Sequence, residues 1–181
     1  MIATLHRWLA KADAMSERKL LLINVALACF VALAHCGALA ITYTKPTPDA
    51  EGIRQLASIS LPIAALVILS AAVALFSPSS RRTVLSLHGL VFAASSVLML
   101  LWGLGLLVNG IPEGNFSWSV GLFSLWVAYS VFVLSRFTLP SYLRSQPVVF
   151  YAPVAALLIA AVIDIGVFLR LMNEIGARFG S

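Results

Sequence analysis

Charge is what this chain has least of. Asp, Glu, Lys and Arg make up 10% of its 181 residues, against 61% for the apolar set Ala, Val, Ile, Leu, Met, Phe, Trp, Tyr and Cys. A soluble domain is about one quarter charged and half apolar. A water-soluble globule is therefore excluded, and lipid has to be part of the solvent. Cysteine is nearly absent too. Cys29 and Cys36 share one apolar segment, and seven residues of helix hold them about 10 Å apart, too far to bridge. No CxxC and no Cys/His spacing suited to zinc occurs, so the expectation is no metal site. A nucleophile elbow, HExxH, a phosphate-binding loop and paired carboxylates are all missing, which argues against an enzyme. There is no internal repeat of the kind that builds many secondary transporters. Period-two alternation, the mark of a membrane barrel, is missing as well.

What is present is long apolar runs. Five exceed the roughly 17 residues that a crossing needs: 20–42, 55–76, 84–108, 117–138 and 148–170. In hydrocarbon the backbone must satisfy itself, and without alternation these runs are helices. The fold class expected is an all-α, multi-pass membrane bundle of five transmembrane helices over residues 20–172, with a short tail at 173–181. Pro, Gly and Ser cluster in the connections, at Lys45–Glu51, Ser77–Arg82, Asn109–Gly114 and Pro140–Pro147, where they stop helices.

The net charge of +5 comes from 12 Lys and Arg against 7 Asp and Glu. The cations lie at helix ends, so they report topology rather than a nucleic-acid surface. Placing the N-terminus inside puts Arg7, Lys11, Arg18, Lys19, Arg81, Arg82, Arg136 and Arg144 on the cytoplasmic side. Lys45, Arg54, Arg170 and Arg178 then lie outside. That bias favours N-in and C-out. Tyr43 and Trp118 fall near the outer ends, and Tyr142 and Tyr151 near the inner ends, as an aromatic belt would. In residues 1–19, Ile2, Leu5, Trp8 or Leu9, Ala12 and Met15 recur at helical spacing, with Arg7, Lys11 and Arg18 on other faces. This predicts a basic amphipathic helix on the inner leaflet, with Leu5 and Leu9 toward lipid. Ala38-Leu39-Ala40 resembles a cleavage site, but the apolar run before it is longer than a signal peptide's, so an uncleaved anchor is expected. Leu33-Ala34-His35-Cys36 fails as a lipidation box at His35. Asn115-Phe116-Ser117 fits the glycosylation pattern but abuts the fourth span.

Ionisable residues inside spans are costly and carry the functional hypotheses. His35 lies about 6 Å outward of its helix midpoint and Asp164 about 7 Å outward of its own, at 1.5 Å per residue. Ala28, Ala32, Cys36 and Ala40 form a small-residue row beside His35. Ala152, Ala156 and Ala160 lead to Asp164 at the same spacing. Such rows let helices pack closely in lipid. Ser124 and Pro62 fall near the same depth. The candidate site is thus an outer polar layer of His35, Asp164 and Ser124, either a ligand- or proton-binding layer or a hydrogen bond that fixes packing. His88 lies about 18 Å in height from His35, which rules out one haem held by both. No cofactor is expected, with single-histidine haem ligation as the alternative. Trp126 and Tyr129 share a face and read as core. Ser95, Ser96, Gly103 and Gly105 read as close-contact positions, and Asn24 as a residue bonding a neighbouring helix.

These features give three functional expectations. The first is a non-enzymatic subunit, assembly factor or immunity-type partner of a larger membrane complex, with the bilayer and other membrane subunits or a second copy as partners. The second is a small transporter or channel subunit using the His35, Asp164 and Ser124 layer. The third is a membrane enzyme or cytochrome-type subunit. The location expected is the bacterial cytoplasmic (inner) membrane.

Overall fold

A computed structural model describes residues 2–44, 50–109 and 123–179. All regular structure among them is helical: α1 (Ile2–Asp13), α2 (Glu17–Thr44), α3 (Ala50–Phe76), α4 (Arg81–Asn109), α5 (Phe123–Thr138), α6 (Ser141–Arg144) and α7 (Pro147–Phe179). Four helices are long and apolar enough to cross a bilayer: α2, α3, α4 and α7. Their outward faces carry large apolar side chains, such as Leu69, Phe76, Leu98, Leu101, Leu158 and Val162, each more than 60% exposed. Water would not tolerate so much contiguous apolar surface, and lipid requires it. The chain is a multi-pass membrane protein. α5 occupies the C-terminal part of the fourth apolar run. The start of that run at 117–122, the Asn115–Ser117 pattern, Trp118, and Lys45 to Asp49 lie outside the described residues. α7 continues through the stretch expected as a tail, to Phe179.

The chain divides into two compact units, 1–88 and 89–181, and α4 contributes its first two turns to the first. In the first unit, Ser16 opens α2. Its Oγ accepts the Lys19 N–H at 3.4 Å, and Glu17 adds a carboxylate at the positive end of the helix. α2 and α3 pack against each other. On α3 the buried positions are Ala57, Ala64, Val67, Ala71 and Ala74, with half-buried Ser60 between them. Their spacing alternates three and four residues, the 3.5-residue repeat of knobs-into-holes seams. On α2 the matching seam is Leu21, Asn24, Ala28 and Thr42, all buried, with Val31, His35 and Ala38 half-buried. After α3, Ser77 is extended and Pro78 opens a 3₁₀ turn. Arg81 folds back there, its Nε donating to the Ala74 carbonyl at 3.1 Å and its Nη2 to Leu75 at 3.2 Å. It thus satisfies the orphan carbonyls at the end of α3.

The second unit is built on α4, α5 and α7. Contacts at Gly89 with Leu134 and at Ser96 with Ser130 show α5 running antiparallel to α4. Contacts at Gly103 with Ile163 and at Gly166 with Leu107 show α7 running parallel to α4. α5 and α7 pack along their length. The buried stripe of α7, Pro153, Ala160, Ile163 and Val167 with half-buried Ala156, again alternates threes and fours. Leu106, Ile163 and Val167 form the core, with Leu100 and Leu107 against it. Arg144 of α6 repeats the device of Arg81. Its Nη1 donates to the Arg136 carbonyl at 2.7 Å, capping the end of α5. Pro147 then starts α7 at a position where its missing N–H costs nothing.

Candidate functional site

Asp164 and Ser124, two members of the expected layer, meet in the second unit. Ser124 Oγ donates to Asp164 Oδ2 at 2.5 Å, from α5 to α7. Ser124 is buried and Asp164 half-buried. The third member, His35, belongs to the first unit. Its Nδ1 donates to the carbonyl of Val31, one turn back on its own helix, at 2.8 Å. A carbonyl only accepts, so this bond fixes the Nδ1–H tautomer and leaves Nε2 as an acceptor.

Among the described residues of the first unit, a closely enclosed polar site joins α2, α3 and α4, which the depth argument above does not assemble. His88 of α4 is 1% exposed and Asn24 of α2 is fully buried. Asn24 Nδ2 stands 3.0 Å from His88 Nδ1, and His88 Nε2 stands 2.9 Å from Ser70 Oγ of α3. With the amide nitrogen assigned toward the ring, Asn24 donates to Nδ1 and Nε2–H donates to Ser70. The serine hydroxyl then donates to the Leu66 carbonyl at 2.6 Å. Every link has a donor and an acceptor, so three helices are tied by one directional chain. A depth signal for it was present in the sequence. Asn24 and His88 each lie about 10 Å from the N-terminal end of their helix and Ser70 about 9 Å from the C-terminal end of α3, at 1.5 Å per residue.

Further intramembrane polar groups described in the second unit are also engaged. Ser96 Oγ donates to Ser130 Oγ at 3.0 Å, and Ser130 to the Trp126 carbonyl at 2.7 Å. Trp126 Nε1 donates to Ser95 Oγ at 3.1 Å. Trp126 and Tyr129 both pack on Phe92, with ring centroids 4.9 and 6.3 Å away. No family model, curated protein or solved structure matches this chain.

The two small-residue rows behave differently. On α7, Ala152 and Ala156 are half-buried and Ala160 is fully buried, on the packed face that leads to Asp164. On α2, Ala28 is buried and Ala32 half-buried, but Cys36 and Ala40 are exposed. The C-terminal half of the α2 row is thus not a packing face among the described residues of the first unit. Residues four apart rotate by about 40° per step, so the row winds off a seam that alternates threes and fours. Of the two glycines expected at close contacts, Gly103 is one, with Ile163 Cγ2 at 3.1 Å from an added Cβ. Gly105 is not, since none of the described residues comes within 4 Å of an added Cβ.

Proposed function

We propose that this protein is a non-enzymatic subunit of a larger membrane complex, an assembly or immunity-type partner rather than a catalyst. The observation that carries this reading is the outer half of α2. Leu33, Cys36, Gly37, Ala40 and Tyr43 are exposed together, and nothing lies within 4 Å of a Cβ added at Gly37. Small side chains gain little from facing lipid, whereas they let a second helix approach closely. Cys36 provides the test. A membrane-permeant bis-maleimide applied to intact membranes should capture a partner helix through Cys36, and Gly37→Leu should abolish capture. Purification as an uncrosslinked monomer, unaffected by Gly37→Leu, would defeat the reading.

The topology proposed with it is five crossings, N-in and C-out, in the bacterial cytoplasmic membrane. Parallel α4 and α7 require one return crossing between them, and α5 runs in the returning direction. The Lys and Arg bias supports the orientation.

A second reading, a small transporter or channel subunit, draws on Asp164. It is a carboxylate deep in a span, with one oxygen held by Ser124, and such groups mark ion and proton paths. Flux of protons or small solutes through reconstituted protein, lost in a folded Asp164→Asn variant, would put this reading first. Unchanged flux in that variant would remove it.

A further inference from the structure

The N-terminal helix buries its apolar stripe more than its cationic face. At 100° per residue, Leu5, Leu9 and Ala12 of α1 occupy one arc, and Arg7, Lys11, Thr4 and Trp8 occupy another of about 100°. Leu5, Leu9 and Ala12 are half-buried, while all four residues of the second arc are exposed. Trp8 in particular is 69% exposed. The helix therefore turns its cationic and aromatic arc outward. Asp13, its one carboxylate, lies about 140° around the helix from Trp8. Arg18 and Lys19, exposed at the start of α2, add charge of the same sign. Only Ala14, Met15 and Ser16 separate α1 from α2. Three residues reach at most about 10 Å, which keeps α1 at the level of the headgroups.

We propose that this arc, Trp8 with Arg7 and Lys11, is a binding surface for anionic phospholipid headgroups. Guanidinium and ammonium groups recognise lipid phosphate by charge-assisted hydrogen bonds. The indole fills the headgroup level beside them, where its apolar body and N–H are both satisfied. Cations at this depth draw anionic lipid toward the helix. Leu5 and Leu9 then anchor α1 on its protein side rather than in the acyl layer.

The test uses the full chain with Cys29 and Cys36 replaced by serine. A spin label is placed at position 4 (Thr4→Cys) or position 9 (Leu9→Cys). Each protein is reconstituted into nanodiscs of phosphatidylcholine alone or with phosphatidylglycerol. The two leaflets are identical, so the result does not depend on which side the N-terminus occupies. Anionic lipid should shield the position-4 label from a water-soluble relaxant, salt should reverse the shielding, and the position-9 label should not respond to lipid charge. Arg7→Gln and Lys11→Gln should each raise the phosphatidylglycerol fraction needed for half shielding by about fivefold. Glutamine is a good helix former, and circular dichroism reads whether α1 persists. A position-4 label open to water in both lipids would overturn the proposal. So would a position-9 label sunk in the acyl layer while position 4 faces water.

Discussion

A buried imidazole in a lipid-embedded bundle has few ways to be stable, and His88 uses one of them fully. Both ring nitrogens are bonded, one to each neighbouring helix. His88→Leu should therefore destabilise the protein by about 1–3 kcal/mol, because the Asn24 amide loses its acceptor on the ring and the Ser70 oxygen loses the donor from Nε2. Polar contacts in membranes average near 0.6 kcal/mol, so the lower end of that range is expected. A double-mutant cycle of Asn24→Ala with His88→Ala should show coupling above about 0.3 kcal/mol, and strict additivity would mean that the contact contributes nothing. For Asp164, an amide can still accept from Ser124, so Asp164→Asn should cost less stability than Asp164→Leu. Denaturation in mixed micelles reads both. At this scale the sequence was half legible. Span depth correctly brought Ser124 to the level of Asp164. His35 belongs to the first unit, where its Nδ1 closes onto Val31, an intrahelical bond that depth does not foretell.

The helices were legible as continuous apolar runs, and the breaks at Pro78 and between Pro140 and Pro147 as proline clusters, because lipid leaves the backbone little choice. Their contact faces were harder to see. A row of residues four apart looks like a packing stripe in the sequence, but only an alternation of threes and fours stays on one side over five turns. Ala57, Ser60, Ala64, Val67, Ala71 and Ala74 carried that alternation in plain view. Glycines divide on the same ground. A Cβ at Gly89 would stand 3.0–3.2 Å from backbone atoms of Leu134 and Val133, and a helix backbone yields only by moving whole. Gly89→Ala should push α4 and α5 apart and cost about 1–3 kcal/mol. Gly105→Ala meets nothing and should be neutral or slightly stabilising, since alanine favours helix by up to about 1 kcal/mol. Equal losses for the two variants would refute this account of the α4–α5 approach.

For the whole molecule, the division of cations between the two sides sets the expected topology. A reporter fused after Ser181 should read outside, and one inserted between Ser79 and Arg82 should read inside. Both on one side would contradict five crossings. Arg81 and Arg144 count toward the inner charge, yet each has its guanidinium bonded to carbonyls of the preceding helix. Replacing either with lysine keeps the charge and loses the fork. Lysine variants should thus preserve orientation and lower stability, whereas charge-reversing Arg82→Glu should do the opposite. Protease protection and thermal aggregation separate the two effects.

The alanines along α3 have a practical consequence for how this protein can be dissected. An alanine scan, the usual way to find a core, would pass over Ala57, Ala64, Ala71 and Ala74 without a signal, because the probe residue is already there. The experiment that reports on this seam is enlargement. Serine or glycine should be accepted at these four positions and leucine rejected, while the outward-facing Leu66, Leu69 and Val73 should accept almost any apolar residue. In a saturation library the most constrained stretch of the helix would then coincide with its smallest side chains.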